Sequence, residues 1–129
     1  MATTVTVSDI GVRNVGKVIT ATSAACSTAS TAEKFEISFA SRDENCVILV
    51  KNGSVGKITA SLDAASSGNG FTPSETEVAT GGVCAFTIES GFVKNGSGKI
   101  VLSVAPPTGS ALASCGVSVY AFSSGVVTH

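Results

Sequence analysis

The sequence predicts a single all-β domain, an antiparallel sandwich of about seven to nine short strands. Short apolar or alternating segments follow one another along the 129 residues, and turns rich in Asn-Gly, Gly-Gly and Pro separate them. No segment has a convincing helical period. Hydrophobic residues make up 43% of the chain and charged residues 13%, a composition that supports one core and excludes a disordered chain.

The central element is the hairpin formed by Cys46–Leu62. Its first half, Cys46–Val50, is an unbroken apolar run rich in β-branched residues, which is typical of a strand buried on both faces. Asn52-Gly53 then predicts a tight turn, because both residue types tolerate positive φ. The second half, Lys57–Leu62, alternates polar and apolar side chains and predicts a strand buried on one face.

The remaining strands are predicted from alternation and from the turns that bound them. In chain order these segments are Thr3–Val7, Lys17–Thr20, Glu33–Phe39, Glu75–Ala79, Val83–Glu89, Gly98–Val104 and Cys115–Phe122. Two segments lack a strand pattern: the small, polar Ala21–Ala32, and Asp63–Ser74 with its glycines and proline. The single domain is therefore divided into an N-terminal segment or arm with short strands (1–32), the sandwich (33–122) and a C-terminal tail (123–129).

Large apolar residues at alternate strand positions predict the core. We expect their side chains to fill the layer between two packed sheets. These residues are Phe35, Ile37, Val47, Leu49, Ile58, Phe86, Ile88, Ile100, Leu102 and Val119.

The sequence offers no clear set of catalytic or metal-binding residues. The single histidine, His129, is the last residue, so a histidine-based triad is not expected. Glu75 and Glu77 would share one strand face, which would allow a small glycosidase-like hydrolase, but an exposed soluble strand explains them better. The four cysteines match no zinc-ligand spacing and are expected to be free thiols. We therefore predict no enzyme, no metal and no cofactor.

Charge and composition narrow the class of partner. The formal net charge is -1 and no basic cluster is present, so a nucleic-acid partner is not expected. No apolar run approaches the roughly 20 residues that span a bilayer, and Met1–Val7 lacks the features of a signal peptide. We expect no membrane contact and synthesis in a cytoplasm. The low proportion of charged residues suggests that neighbouring subunits cover part of the surface.

Several segments resemble the small head decoration, or capsid-stabilising, proteins of tailed bacteriophages. The shared features are an apolar strand that ends in Lys-Asn, a Gly-Asn-Gly loop, an Ile-Glu-Ser-Gly segment that leads to a second Lys-Asn, and a following Gly-Lys strand. They cover about the last two-thirds of the chain. The segments are Val47–Asn52, Lys57–Leu62, Gly68–Gly70, Val83–Asn95, Gly98–Val104 and Val117–Phe122.

The resemblance implies an immunoglobulin-like sandwich that decorates and stabilises the outside of an assembled capsid, and therefore a location on the virion. It implies the major capsid protein as partner, leaves a second copy of the chain as a further one, and supplies no catalytic residues. A carbohydrate-binding or adhesion module is the alternative, since β-sandwiches often serve there.

Attachment is expected through an extended arm and a loop, since an extended segment can add a strand to an exposed sheet edge. The arm candidates are Met1–Val7 and Ala21–Ala32, and the alternative is a disordered terminus and a mobile loop. On this hypothesis the sandwich folds alone, and loss of Ala2–Val7 weakens capsid binding without changing the melting transition. The expected contact residues are Thr3, Thr4, Val5, Thr6, Val7, Gly68, Asn69, Gly70 and Phe71.

Overall fold

The computed structural model describes residues 2–11, 14–39, 45–53, 56–65 and 71–124. Over these residues the chain forms ten strands, four of which are only two or three residues long. The strands are β1 Ala2–Thr4, β2 Val7–Asp9, β3 Thr22–Ser23, β4 Glu33–Ile37, β5 Cys46–Lys51, β6 Ile58–Leu62, β7 Thr76–Val78, β8 Val83–Thr87, β9 Ile100–Ala105 and β10 Ser118–Ser123. One helical turn, α1 (Ser90–Val93), and a 3-10 turn (Leu112–Cys115) complete the elements of the described residues.

The strands form two mixed sheets. Sheet A has the order β1-β4-β9-β6-β7, and sheet B has the order β2-β10-β5-β8, with β3 also paired to β10. Most pairs are antiparallel, but β1 runs parallel to β4 and β2 runs parallel to β10. The all-β class predicted from the sequence is confirmed, and the two sheets form a sandwich-like fold.

Alternation explains the strands of sheet A. In β4 and β9, inward residues such as Phe35, Ile37 and Leu102 are fully buried, or nearly so. The residues between them, Lys34 and Glu36 among them, keep charged groups on the outward side. The hydrophobic effect therefore fixes the register of these strands, because a slip of one residue would expose the whole buried set.

The predicted core is confirmed at seven positions, confirmed in part at one and wrong at two. Val47 and Leu49 lie on the outward side of β5, where Cys46, Ile48 and Val50 are the buried residues. Phe86 is only half-buried and packs at the margin of the core. The positions that are buried as predicted are Phe35, Ile37, Ile58, Ile88, Ile100, Leu102 and Val119.

The N-terminal residues do not extend away from the sandwich. β1 forms an edge of sheet A, and β2 forms the edge of sheet B on the same side of the sandwich. Val5, which links them, is 4% exposed, and its N–H donates to the carbonyl of Glu36 at 3.0 Å. The segment therefore crosses from one sheet to the other and closes one side of the sandwich. The predicted strand Lys17–Thr20 is absent, and β3 lies just beyond it instead.

The predicted hairpin Cys46–Leu62 is wrong, because β5 belongs to sheet B and β6 to sheet A. The turn after β5 also differs from the predicted chemistry. Neither Asn52 nor Gly53 has positive φ. Asn52 is instead a buried connector, whose Nδ2 donates to the carbonyls of Gly56 at 2.5 Å and Val78 at 2.9 Å. The side chain of the Lys-Asn motif thus holds the turn against the end of β7, which satisfies carbonyl groups that burial would otherwise leave unpaired.

Gly53 is required because backbone atoms approach it closely. A Cβ at this position would overlap the carbonyl oxygen of Cys115 and would lie 2.8 Å from the carbonyl oxygen of Gly116. We expect Gly53→Ala to lower the free energy of unfolding by about 2–3 kcal/mol, because backbone rather than a flexible side chain has to move. Urea denaturation measures the change. Gly16→Ala is the control, since among the described residues no atom beyond its chain neighbours lies within 4 Å of an added Cβ. Equal losses in both variants would contradict this explanation.

Candidate functional site

The outward side of sheet B is apolar across three neighbouring strands. The pairing registers set Tyr120 opposite Leu49 and Leu49 opposite Ala85, and the adjacent row repeats the arrangement along β10, β5 and β8. We define the sheet-B face as the outward side chains of these rows and of the exposed end of β8. They are Val47, Leu49, Val83, Ala85, Thr87, Tyr120 and Phe122.

The sheet-B face is continuous, and one charged side chain, Lys51, lies in its end row. The larger side chains on β5 and β10 are half-buried and do not pack against the core, so their remaining surface faces outward. Val83 is 57% exposed at the edge of the sheet. Lys51 is the single charged residue of β5, β8 and β10, and it lies in the end row with Ser118 and Val83. Contiguous apolar surface of this kind marks interaction sites more often than isolated apolar residues do.

Sheet A has the opposite outward chemistry. Its outward side is polar, as expected for a sheet with one face on the core and one in water. Its charged residues form three ion pairs: Lys34–Asp63 at 2.9 Å, Lys57–Glu77 at 3.4 Å and Lys99–Glu36 at 3.5 Å. Of the two outward faces described, that of sheet B is therefore better suited to a protein partner.

The apolar outward face of sheet B explains why the sequence of β5 is an unbroken apolar run. The pattern predicts burial on both faces, and the described part of the chain buries only the face that carries Cys46, Ile48 and Val50. The other face, with Val47 and Leu49, has the composition of an interior surface without interior burial. A flat apolar face of this type can bind another protein by excluding water between two surfaces.

The sequence-predicted contact residues occupy three different settings. Thr3 and Val5 are fixed within the sandwich, whereas Thr4 and Thr6 are exposed and Val7 is half-buried in β2. Phe71 stacks on Phe92 with ring centroids 5.8 Å apart. The predicted loop residues Gly68, Asn69 and Gly70 lie outside the described residues.

Glu33 explains why Thr3 is fixed. This carboxylate is 5% exposed, and one oxygen accepts a hydrogen bond from the Thr3 hydroxyl at 2.6 Å. The other oxygen accepts from the backbone N–H groups of Ala25 and Cys26, both at 2.8 Å. Glu33 thus joins β4, the N-terminus and the segment after β3, and we assign it a structural role because its acceptor oxygens are satisfied within the chain.

One polar cluster on sheet A contains a hydroxyl between charged groups. Lys34 Nζ donates to Ser103 Oγ at 2.5 Å, and Ser103 donates to Asp63 Oδ1 at 2.7 Å. Lys34 also pairs directly with Asp63. The three side chains therefore form a cross-strand polar network on the outward side of sheet A.

Free thiols are present at Cys26, Cys84 and Cys115. Burial raises the pKa of the Cys84 thiol above its ordinary value, and a hydrogen bond with Thr76 opposes this shift. The neutral thiol is therefore favoured at Cys84, and a neutral thiol is a poor nucleophile.

Two further features bear on binding. In the described ranges no three His, Cys, Asp or Glu side chains are grouped so as to hold a metal ion. None of the helices there is both long and apolar enough to cross a membrane.

Comparison with known proteins gives no match to a family model, to a curated protein or to a solved structure.

Proposed function

We propose that this chain is a structural virion protein that decorates a phage capsid and attaches to the major capsid protein through the sheet-B face. The observation that carries the proposal is the uncovered apolar side of β5, at Val47 and Leu49, beside Tyr120 and Phe122 of β10. The resemblance of the strand segments to head decoration proteins supplies the class of partner. On this proposal the protein is made in the host cytoplasm, acts on the capsid surface and performs no catalysis.

Binding through the sheet-B face would stabilise the capsid if the complementary surface is presented by the assembled shell. A capsid repeats the same subunit contact many times, so one modest site is presented in many copies. A protein that binds the assembled shell more tightly than separate subunits shifts the equilibrium toward the shell. Complete burial of a large exposed side chain contributes about 1.5–3 kcal/mol. The large side chains on β5 and β10 are already half-buried, so each contributes only part of this amount and several have to be covered together.

An immunoglobulin-like topology is the finer part of this proposal. In its favour, β4, β9 and β6 are neighbours in the order that strands B, E and D have in immunoglobulin domains, and β5 pairs with β10 as strand C pairs with F. β1 departs from that scheme because it runs parallel to β4. The carbohydrate-binding alternative rests on the sandwich fold alone, and for that reason we place it second.

The test compares two apolar-to-polar substitutions at equivalent places on the two sheets. Leu49 lies on the outward side of a central strand of sheet B, and Val101 lies on the outward side of a central strand of sheet A. We expect Leu49→Gln to weaken binding to capsid shells that lack this protein by about tenfold, because a central apolar contact is lost. Val101→Gln should bind like the unmodified chain.

Cosedimentation with shells over a range of protein concentrations gives the two affinities, and thermal melting shows that both variants are folded. If the unmodified chain does not bind shells, the decoration role is wrong. If Leu49→Gln binds as well as Val101→Gln, attachment uses another surface. Light scattering on the free protein separates one further outcome, in which the sheet-B face joins two copies of the chain rather than the chain and the capsid.

A further inference from the structure

The side of the sandwich away from β1 and β2 is formed by two free strand edges. β7 is the last strand of sheet A there, and β8 is the last strand of sheet B. Within the described residues β8 pairs with β5 alone. It has no charged residue and no proline, although exposed strands are usually protected against pairing by such residues. Over the described residues the outer backbone groups of β8 have no strand partner, and an additional strand could pair with them.

A cavity of about 250 Å³ opens between the sheets on this same side. Three aromatic rings line it, namely Phe86 of β8, Phe92 of α1 and Phe71, and the last two are stacked. Leu62 and Val93 add aliphatic walls. The volume is below the range of about 300–1,000 Å³ usual for small-molecule pockets, and it is of a size to accept a single long side chain.

Glu89 gives the lining of this cavity a negative charge. It is the one charged side chain among the described residues that line the cavity. The N–H of Gly91 donates to its Oε1 at 3.3 Å, which holds the carboxylate beside the helical turn. Aromatic faces attract cations through their quadrupole, and long basic side chains place an apolar stem against apolar walls while the charged end reaches a polar group. A carboxylate next to aromatic rings therefore favours a basic side chain.

The β8 edge and the cavity are placed so that one bound peptide could contact both. In an added strand, alternate side chains would point to the same side of sheet B as Phe86, and Phe86 lines the cavity. We propose that the β8 edge and this cavity bind an extended peptide segment, which pairs with β8 and inserts one lysine or arginine side chain into the cavity. Backbone pairing with a pocket for one side chain is a known mode of peptide recognition. This inference is independent of the proposed capsid role.

The test uses four blocked pentapeptides and isotope-labelled full-length protein. The first two peptides are Thr-Val-Lys-Val-Thr and its arginine analogue. The third replaces lysine by norleucine, which keeps the apolar stem without the charge, and the fourth is the lysine peptide methylated at every backbone amide. We expect the lysine or arginine peptide to bind saturably with Kd of about 0.1–1 mM and to shift amide resonances of Val83–Thr87 and Ser90–Val93.

The norleucine peptide should bind about 3- to 10-fold more weakly, because the contact of the cation with rings and carboxylate is lost. The methylated peptide should lose at least as much affinity, since it cannot pair with β8.

Glu89→Gln should remove most of the preference for lysine over norleucine. Glu77→Gln is the matched control, because Glu77 lies next to cavity-lining Thr76 but pairs with Lys57 on the outward side of sheet A.

Three results would each overturn the proposal. The first is the absence of saturable binding by both basic peptides, and the second is equal affinity for lysine and norleucine in the unmodified protein. The third is equal affinity for the methylated and unmethylated lysine peptides. Capsid binding is measured separately through Leu49, so failure of this proposal leaves the capsid proposal intact and is distinguishable from its failure.

Discussion

Deleting Ala2–Val7 is expected to lower the free energy of unfolding by about 3–5 kcal/mol. The reason is that this segment closes one side of the sandwich rather than projecting from it. Its loss removes the buried Val5 side chain, the whole parallel pairing of β1 with β4 and the Val7 end of the pairing of β2 with β10. It also removes Thr3, which donates to the buried Glu33 carboxylate. The ordering entropy of a short segment, about 1–2 kcal/mol per residue, offsets part of these contributions.

Urea denaturation of the truncated and complete chains measures the loss. Val5→Ala should reproduce a substantial part of it, because Val5 is 4% exposed between the sheets. Thr6→Ala is the matched control, since the neighbouring Thr6 side chain is exposed and its truncation should change stability by less than about 0.5 kcal/mol. An unchanged melting transition in the truncated protein would restore the arm hypothesis, in which Ala2–Val7 serves attachment alone.

The sequence could not reveal the position of the N-terminal segment, for a physical reason. β1 and β2 have three residues each, and three residues are too few for alternation to identify an inward face. Their partners, Lys34–Glu36 and Ala121–Ser123, lie far along the chain. Pairing of this kind is decided by tertiary packing, whereas Glu33–Ile37 and Ile100–Ala105 have enough alternating residues to be predicted locally.

The candidate site was predictable in part. The run Cys46–Val50 correctly indicates a strand, but its predicted burial on both faces is wrong over the described residues, since Val47 and Leu49 are only half-buried. The opposite faces of Val119 and Tyr120 follow from the period of two. Which face of β5 is internal was not predictable, because every position from Cys46 to Val50 is apolar. Only the register with β10, which sets Ile48 opposite Ala121, decides it. Excess apolar surface in β5 was the available sign of a partner, and the cavity beside β8 has no comparable sign in the sequence.

Phe35→Ala is expected to cost about 3–5 kcal/mol, and Phe86→Ala clearly less, about 1–2 kcal/mol. Both residues are predicted core positions from alternation. Phe35 has no exposed surface and pairs with Leu102 of β9 in the middle of sheet A, so truncation leaves a closed cavity. Phe86 is half-buried and already lines an open cavity, where water can replace the lost ring.

Paired urea denaturation curves test this ordering, with the slope of each transition used to confirm that both variants unfold as the unmodified chain does. Phe39→Ala serves as a further comparison, because Phe39 is half-buried at the margin of the same core and should resemble Phe86 rather than Phe35. Equal losses at Phe35 and Phe86 would mean that the open side of the sandwich is closed in solution. The β8 cavity would then be part of the core, with no space for a partner's side chain.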